Sequence, residues 1–214
     1  VTGTTLQSSE NRQFFARHET FHPRFGWLKK GFDRASVEPG IFLRDDAPVR
    51  LGVGKNMVRS LRYWCQAFKL LEEDSPTLFG KQLLGATGWD PYLEDPASLW
   101  LLHWKLLEPE PACYATTWSF VFNQFRSVEF STEELFKQLG EYRDRVAPRM
   151  AESSLKKDIS CLLRMYAQQT SRKNLVGEDS LDCPFAELGL LYATSNSQTY
   201  RFRMGYKPTL PSAI

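Results

Sequence analysis

Between Lys55 and Leu71 the chain carries its strongest periodic signal. Met57, Val58, Leu61, Trp64, Cys65, Phe68 and Leu71 recur at helical spacing, which predicts one long amphipathic helix with a wide buried face. The polar face of that helix has a single sign. Lys55, Arg59, Arg62, Gln66 and Lys69 follow one another at steps of four, three, four and three residues, so they form one stripe, and no acid interrupts it. A solvated structural helix ordinarily mixes Glu with Lys at i,i+4. An all-basic stripe lacks that compensation and reads in two ways: as a face that contacts DNA, or as a face paired with an acidic segment elsewhere in the chain. Asn56 adds an amide suited to a phosphate or an adenine edge.

What flanks this helix fits a DNA-binding arrangement. A helix is expected from Trp27 to about Ala35, broken by Pro39-Gly40. Ile41 to Arg44 is a short apolar stretch. Asp45 or Asp46 is placed to cap a short helix running to about Leu51, and Gly52-Val53-Gly54 makes a tight turn. Short helix, glycine turn, long helix is the order of a helix-turn-helix. Downstream, Thr77 to Leu84 reads as a short strand or wing. Pro91 and Pro96 bracket an acidic turn, Asp90 to Asp95, before an apolar helix from Ala97 to Leu107, where His103 sits beside Leu99, Trp100 and Leu107 as a core residue.

Pro109 and Pro111 mark a boundary between two lobes. The second opens with an aromatic stretch, Trp118 to Phe125. Ser131-Thr132-Glu133-Glu134 is a capping box with Phe130 as its staple, so a helix is expected from Thr132 to about Arg145. Another helix is expected from Ser153 or Ser154 to about Gln168, and Tyr200 to Met204 alternates as a strand with Arg201 and Arg203 on one face. The fold class expected is mainly α with short β-strands, in two helix-turn-helix or winged-helix-like lobes. Residues 1–108 form a basic lobe with an acidic helical extension, and residues 109–214 a second winged-helix-like lobe, truncated at its C-terminus. Val1 to Asn11 reads as a loose arm. With no initiator Met and an ending at Pro211-Ser212-Ala213-Ile214, the sequence reads as a fragment of a longer protein.

Composition excludes several classes. With 42% hydrophobic and 14% aromatic residues the chain can bury a real core, so wholesale disorder is excluded. No apolar run approaches the length of a membrane span, and no apolar leader segment is visible, so a cytoplasmic protein without membrane contact is expected. Cys65, Cys113, Cys161 and Cys183 are 48, 48 and 22 residues apart; that spacing argues against a structural zinc site and for free thiols in a reducing compartment. The net charge of +2 conceals an asymmetry: residues 1–70 carry +6, residues 71–125 carry −6 and residues 126–214 carry +2. A basic segment in a nearly neutral protein is a surface for a polyanion, unless it pairs with the acidic middle.

His18-Glu19-Thr20-Phe21-His22 matches the H-E-x-x-H spacing of zinc proteases, in which two imidazoles share one helical face. Pro23 directly after the second histidine disfavours helix there, and no long amphipathic helix carries the motif. The segment reads instead as a turn whose polar groups order the N-terminal arm. No P-loop, GxGxxG or GxSxG is present. Gly52-Val53-Gly54-Lys55 lacks Walker spacing but opens a helix whose N–H groups suit a phosphate.

Longer blocks point further. His18-Glu-Thr-Phe, Arg24-Phe-Gly-Trp-Leu-Lys-Lys-Gly31, Arg44-Asp-Asp and Arg50-Leu-Gly-Val-Gly-Lys-Asn-Met-Val-Arg59 resemble the bacterial DUF4007 family. Asp90-Pro-Tyr-Leu-Glu-Asp95, Leu99-Trp-Leu-Leu-His103, Tyr200-Arg-Phe and Lys207-Pro-Thr-Leu-Pro211 extend the resemblance over about residues 14–211. The resemblance implies a place in bacterial defence by DNA phosphorothioation, beside a cysteine desulfurase, an ATP pyrophosphatase-like enzyme and an ATPase. It also implies an endonuclease that nicks one strand of double-stranded DNA so that sulfur can enter the backbone. It weakens the zinc-protease reading as well, since in that family the position of His22 is not a fixed histidine.

Nicking chemistry needs an activated water, charge neutralisation and a stabilised leaving oxygen, most often from carboxylates holding a divalent cation, Mg²⁺ or Mn²⁺. Asp45 and Asp46 are the best-placed carboxylates and metal ligands. Glu19 with His18 is next, as ligand or general base. Arg24, Lys29, Lys30, Arg44, Arg50 and Lys55 would hold phosphates. Against this, Asp45 could merely cap the short helix and Asp46 merely pair with Arg50. Two further readings stay open: a non-catalytic winged-helix DNA-binding module that recruits other modification enzymes, and a scaffold whose acidic middle, through Glu94 and Asp95, docks a basic partner.

Overall fold

The structure is a computed structural model that describes residues 13–109, 115–168, 183–194 and 198–211. The arm expected over Val1–Asn11, together with Pro111, Cys113 and Ser212–Ile214, lies outside the described residues.

Helices dominate. Helix α1 (Trp27–Val37) leads through a 3₁₀ turn (Ile41–Leu43) to α2 (Ala47–Leu51) and α3 (Lys55–Ala67). A hairpin of two-residue strands, β1 (Leu71–Glu72) and β2 (Ser75–Pro76), follows α3 directly. Then come α4 (Leu78–Leu84), α5 (Pro96–Leu107) and α6 (Thr116–Asn123). Strand β3 (Glu129–Ser131) feeds α7 (Thr132–Val146) and α8 (Glu152–Tyr166), and β4 (Ala167–Gln168) follows. A second 3₁₀ turn (Pro184–Leu188), β5 (Leu191–Ala193) and β6 (Thr199–Phe202) complete the chain. The later strands form one sheet in the order β3-β6-β5-β4, antiparallel except for the parallel β4–β5 pair.

The sequence explains most of these elements. Ser131 accepts a hydrogen bond from the Glu134 amide at 3.1 Å, so the capping box starts α7 as its spacing predicts. Asp95 caps α5 by accepting from the Ala97 amide at 2.8 Å, with Pro96 in the first turn. Gly31 lets α1 pass close over α3: a Cβ there would collide with the Leu61 and Cys65 side chains.

Two expectations shift. Thr77 to Leu84 is helix α4, not a strand or wing, because Thr77 Oγ1 caps it from the Gly80 amide at 2.9 Å and Leu83 and Leu84 are buried. Helix α3 ends at Ala67 rather than Leu71, since Lys69 takes a left-handed φ of 58° and the Leu70 amide closes back on the Cys65 carbonyl at 2.9 Å. That turn carries Lys69 off the solvent face, and its side chain is buried.

The buried core runs continuously from Phe15 to Leu191. Aromatic pairs tie early elements to late ones: Trp64 meets Trp118 edge-on at 5.4 Å, and Phe68 stacks on Phe185 at 4.9 Å. His103 belongs to this core. Its Nδ1 lies 2.8 Å from the Tyr166 hydroxyl and its ring packs against Phe122. Cys65 and Cys161 are buried free thiols, and burial pushes both well up from the usual thiol range.

Burial pushes the His103 imidazole down to about 3, from an ordinary value of 6.5. The folded state therefore refuses a proton that the unfolded chain accepts between those values. Stability is full above pH ~6.5 and falls as pH drops toward ~3, with His103 contributing a slope of about 1.4 kcal/mol per pH unit. Denaturant titrations across that interval should show the slope, and His103→Asn should reduce it by about that amount.

Candidate nucleic-acid interface

Helix α3 presents its polar face to a groove of about 700 Å³. Three segments build it: residues 14–19, the link from the first 3₁₀ turn into α2, and α3 itself. Five cationic side chains line it, Arg17, Arg44, Lys55, Arg59 and Arg62, against the two carboxylates Glu19 and Asp45. Gln66 lines the same groove, among Phe14, Phe42 and Tyr63. Seven residues singled out from the sequence thus converge: Glu19, Arg44, Asp45, Lys55, Arg59, Arg62 and Gln66.

The stripe on α3 is partly compensated. Arg62 donates from Nε to Asp74 Oδ1 at 2.6 Å, and Gln66 Nε2 reaches the same oxygen at 3.4 Å. Asp74 sits in the β1–β2 hairpin turn, where Glu73 and Asp74 have left-handed φ values of 46° and 70°. An acid from the negative middle segment therefore does fold onto this helix, but only at its C-terminal half. Arg59 is 58% exposed and rests 3.6 Å from Glu19, while Lys55 and Asn56 are exposed at the N-terminal half.

Asp46 caps nothing: it stands at the N-cap of α2 without a side-chain cap bond. Its carboxylate instead accepts from Arg44 Nε and Arg50 Nε, both at 2.7 Å. Glu38 closes the circuit with Arg44 at 3.0 Å and Arg50 at 2.7 Å, so four charges form a ring. Hydrogen bonds from Arg44, then Arg50, hold the Asp46 carboxyl well below the usual carboxylate range. Asp45 is exposed at the groove and accepts no hydrogen bond among the described residues.

His18 lies inside the protein, fully buried. Its Nε2 donates to Asp158 Oδ1 at 2.8 Å, and its ring packs among Tyr63, Trp64 and Trp118. Asp158 also accepts from the Ala16 amide at 2.8 Å and the Thr117 hydroxyl at 2.6 Å. His22 is buried as well, and residues 17–20 form turns rather than helix, so the H-E-x-x-H spacing builds no zinc-protease face. What the segment does is present Arg17 and Glu19 to the groove. Ala16, Glu19 and Thr20 take left-handed φ values of 52°, 50° and 69°, which L-residues adopt at a cost of roughly 1–2 kcal/mol each.

Lys29, Lys30, Arg24 and Arg50 stand apart from the groove lining. Lys29 Nζ donates to the carbonyl of Leu84, the last residue of α4, and Lys30 Nζ to that of Leu51, the last residue of α2. Both lysines serve helix C-termini. Arg24 lies over the Trp27 ring at 5.6 Å. Arg17, Asp74 and Glu38 were not singled out from the sequence. Arg17 adjoins the His18-Glu19 pair, a signal that was readable; Asp74 and Glu38 act across 12 residues, which local patterns do not reveal.

No group of three His, Cys, Asp or Glu suited to a metal occurs among the described residues. Of the carboxylates singled out as ligands, Asp45 is exposed at the groove and accepts no hydrogen bond among the described residues, which suits Mg²⁺ held by one or two carboxylates plus substrate phosphates. Asp46 is committed to its arginines.

Comparison with known proteins bears on the family and the fold. The family model described as a protein of unknown function, DUF4007, matches residues 15–214. Two solved structures share the fold: an SspB crystal structure at 41% identity and a TM-score of 0.84, and a magnesium ion-bound SspB crystal structure at 40% identity and 0.85. Each comparison covers 94% of this chain and 62% of the other, so the chain spans less than two thirds of the length of those proteins. No curated protein matches.

Asp158→Ala strips the acceptor from two buried donors, the His18 ring and the Thr117 hydroxyl, and from the half-buried Ala16 amide. It should cost about 3–5 kcal/mol of stability, measured by chemical denaturation, as expected when one partner of a buried network is removed.

Proposed function

The chain belongs to the DUF4007 family, and on that premise we propose that it binds double-stranded DNA through the α3 groove and opens one strand for phosphorothioate modification in a bacterial defence module. The observation that carries this reading is the convergence, in one groove, of five cations with two carboxylates. Likeness to SspB at 40–41% identity supports the assignment to that system. The succession of α2, a glycine turn, α3 and the β1–β2 hairpin supports a helix-turn-helix reading of residues 1–108. Residues 109–214 form the second, winged-helix-like lobe in this proposal.

Nicking is hydrolysis of one phosphodiester. A water oxygen adds to phosphorus, its proton passes to a carboxylate, and one ester oxygen leaves and is protonated. Asp45 and Glu19 are the groove carboxylates placed to take that proton. Arg44, Lys55 and Arg59 neutralise the charge gathering on the phosphoryl oxygens. Asp46 acts through its grip on Arg44 and Arg50, and His18 through the segment that carries Glu19. A bound Mg²⁺ or Mn²⁺, held by Asp45 and the substrate phosphate, would supply Lewis-acid stabilisation. The cysteine desulfurase, ATP pyrophosphatase-like enzyme and ATPase of such a module are the proposed partners, in the cytoplasm. No described helix is long and apolar enough to cross a membrane.

One observation favours a second reading. With no three-acid cluster among the described residues and Asp46 locked by arginines, a non-catalytic DNA-binding module that recruits other enzymes also fits.

A plasmid assay separates the two. Supercoiled DNA should convert to open circles with Mg²⁺ or Mn²⁺ and not with EDTA, and Asp45→Ala should slow conversion about 100-fold or more. Binding without open circles establishes the second reading, and nicking that survives both Asp45→Ala and Glu19→Ala removes the groove as the active centre. DNA affinity should also fall steeply with salt. Arg59→Ala should lower the magnitude of the log–log salt slope by about 1, read by anisotropy titrations at several salt concentrations.

A further inference from the structure

Three features of the α3 groove are not called for by backbone phosphates. The first is size. A volume of about 700 Å³ falls in the range of about 300–1,000 Å³ typical of ligand pockets, whereas phosphates need only outward cations. The second is the apolar lining of Phe14, Phe42, Val58 and Tyr63 among the cations. The third is a second carboxylate: hydrolysis calls for one base, and of Glu19 and Asp45 the other would only repel a polyanion.

A nucleobase reverses all three objections. Its face stacks on aromatic rings, and its exocyclic amino group donates to a carboxylate. Its sugar-phosphate stays at the cationic rim. A base inside a duplex offers neither its face nor its pairing edge, so the occupant has to be unpaired. We infer that the groove takes up one unpaired nucleotide of a DNA strand, with the base against the Phe14 ring, its amino edge toward Glu19, and its phosphate on Arg17, Lys55 and Arg59.

The local geometry is built for this. The Arg17 guanidinium lies 5.8 Å from the Phe14 ring centre, an Arg–aromatic pair beside which a base can stack. Glu19 is held in a left-handed conformation and rests 3.6 Å from Arg59, so a carboxylate for the base and a cation for its phosphate are neighbours. The Phe14 amide donates to Thr116 Oγ1 at 2.9 Å, and Asp158 pins Ala16 and His18, so this wall is preformed. Thymine lacks an exocyclic amino group, so the groove should discriminate against it.

The inference rests on the DNA-binding reading of the same groove, and the test keeps the two apart. Fluorescence anisotropy would compare four labelled duplexes of one sequence at fixed salt: fully paired, with a bulged cytosine, with a bulged thymine, and with a bulged abasic site. The bulged cytosine should bind ~10-fold more tightly than the paired duplex, and more tightly than either the thymine or the abasic bulge. Phe14→Ala should bring the cytosine-to-paired ratio near one, and Glu19→Ala should erase the cytosine-over-thymine difference. Equal affinity for bulged and paired DNA, or an abasic bulge as tight as cytosine, overturns the inference while DNA binding stands. So does a preference that persists in Phe14→Ala. No binding to any of the four overturns the DNA reading as well.

Discussion

The carboxylate of Asp158 is 1% exposed and accepts hydrogen bonds from the His18 ring, the Ala16 amide and the Thr117 hydroxyl. A buried carboxylate in an apolar surround is costly unless its lone pairs are filled, and here donors from three parts of the chain fill them. The consequence reaches the surface. Asp158 stands on α8, Thr117 on α6, and His18 on the segment that walls the groove. The left-handed residues at 16, 19 and 20 are conformations the chain would abandon if nothing held them. The network holds them, and the Trp64 indole adds a hydrogen bond to the Phe21 carbonyl at 2.9 Å. The late part of the chain thus fixes the position of Arg17 and Glu19.

Helix α3 serves the core and the groove at once, and each role constrains the other. Its apolar face is locked from behind, by α1 crossing at Gly31 and by Trp64 against Trp118. A helix so held cannot rotate, so the spacing of Lys55 and Arg59 in the groove is fixed by the same contacts that build the core. The hairpin after α3 then returns Asp74 onto Arg62 and Gln66. That pairing divides the helix lengthwise: its first two turns keep exposed Lys55 and the loosely held Arg59 for a ligand, and its later turns spend Arg62 and Gln66 on the fold.

Periodicity made the helices legible. The stripe on α3, the capping box at Ser131 and the apolar run of α5 each describe contacts within about four residues, where sequence pattern and structure share one ruler. The site was legible to the same degree. Glu19, Arg44, Asp45, Lys55 and Arg59 were visible as chemistry, and they do meet. What the pattern could not show was which charges were already taken. Lys29 and Lys30 look identical to groove cations in the sequence, yet each is drawn to a carbonyl at a helix end brought close only by the tertiary fold. His18 looks like a catalytic partner for Glu19, yet the tight turn over residues 17–20 sends it inward to Asp158 while Arg17 and Glu19 face the groove. Thr77 to Leu84 reads as a strand or wing in the sequence because one Thr cap and two buried leucines decide a seven-residue helix, too short for a periodic signal.

The same accounting of charges bears on how a polyanion would be held. Arg44 and Arg50 share Glu38 and Asp46 in a ring of exposed ion pairs, and the Asp46 carboxyl stays ionised down to strongly acidic pH. A phosphate approaching Arg44 must displace a carboxylate that is already well placed, so contact there is an exchange rather than a simple gain. Arg59, with Glu19 at 3.6 Å, faces a looser competitor. Lys55 has no ion-pair partner among the described residues. The free positive potential is therefore concentrated at the N-terminal turns of α3, where the helix dipole adds to it. A basic segment of +6 net charge, residues 1–70, is in this way reduced to a small cationic mouth with carboxylates beside it.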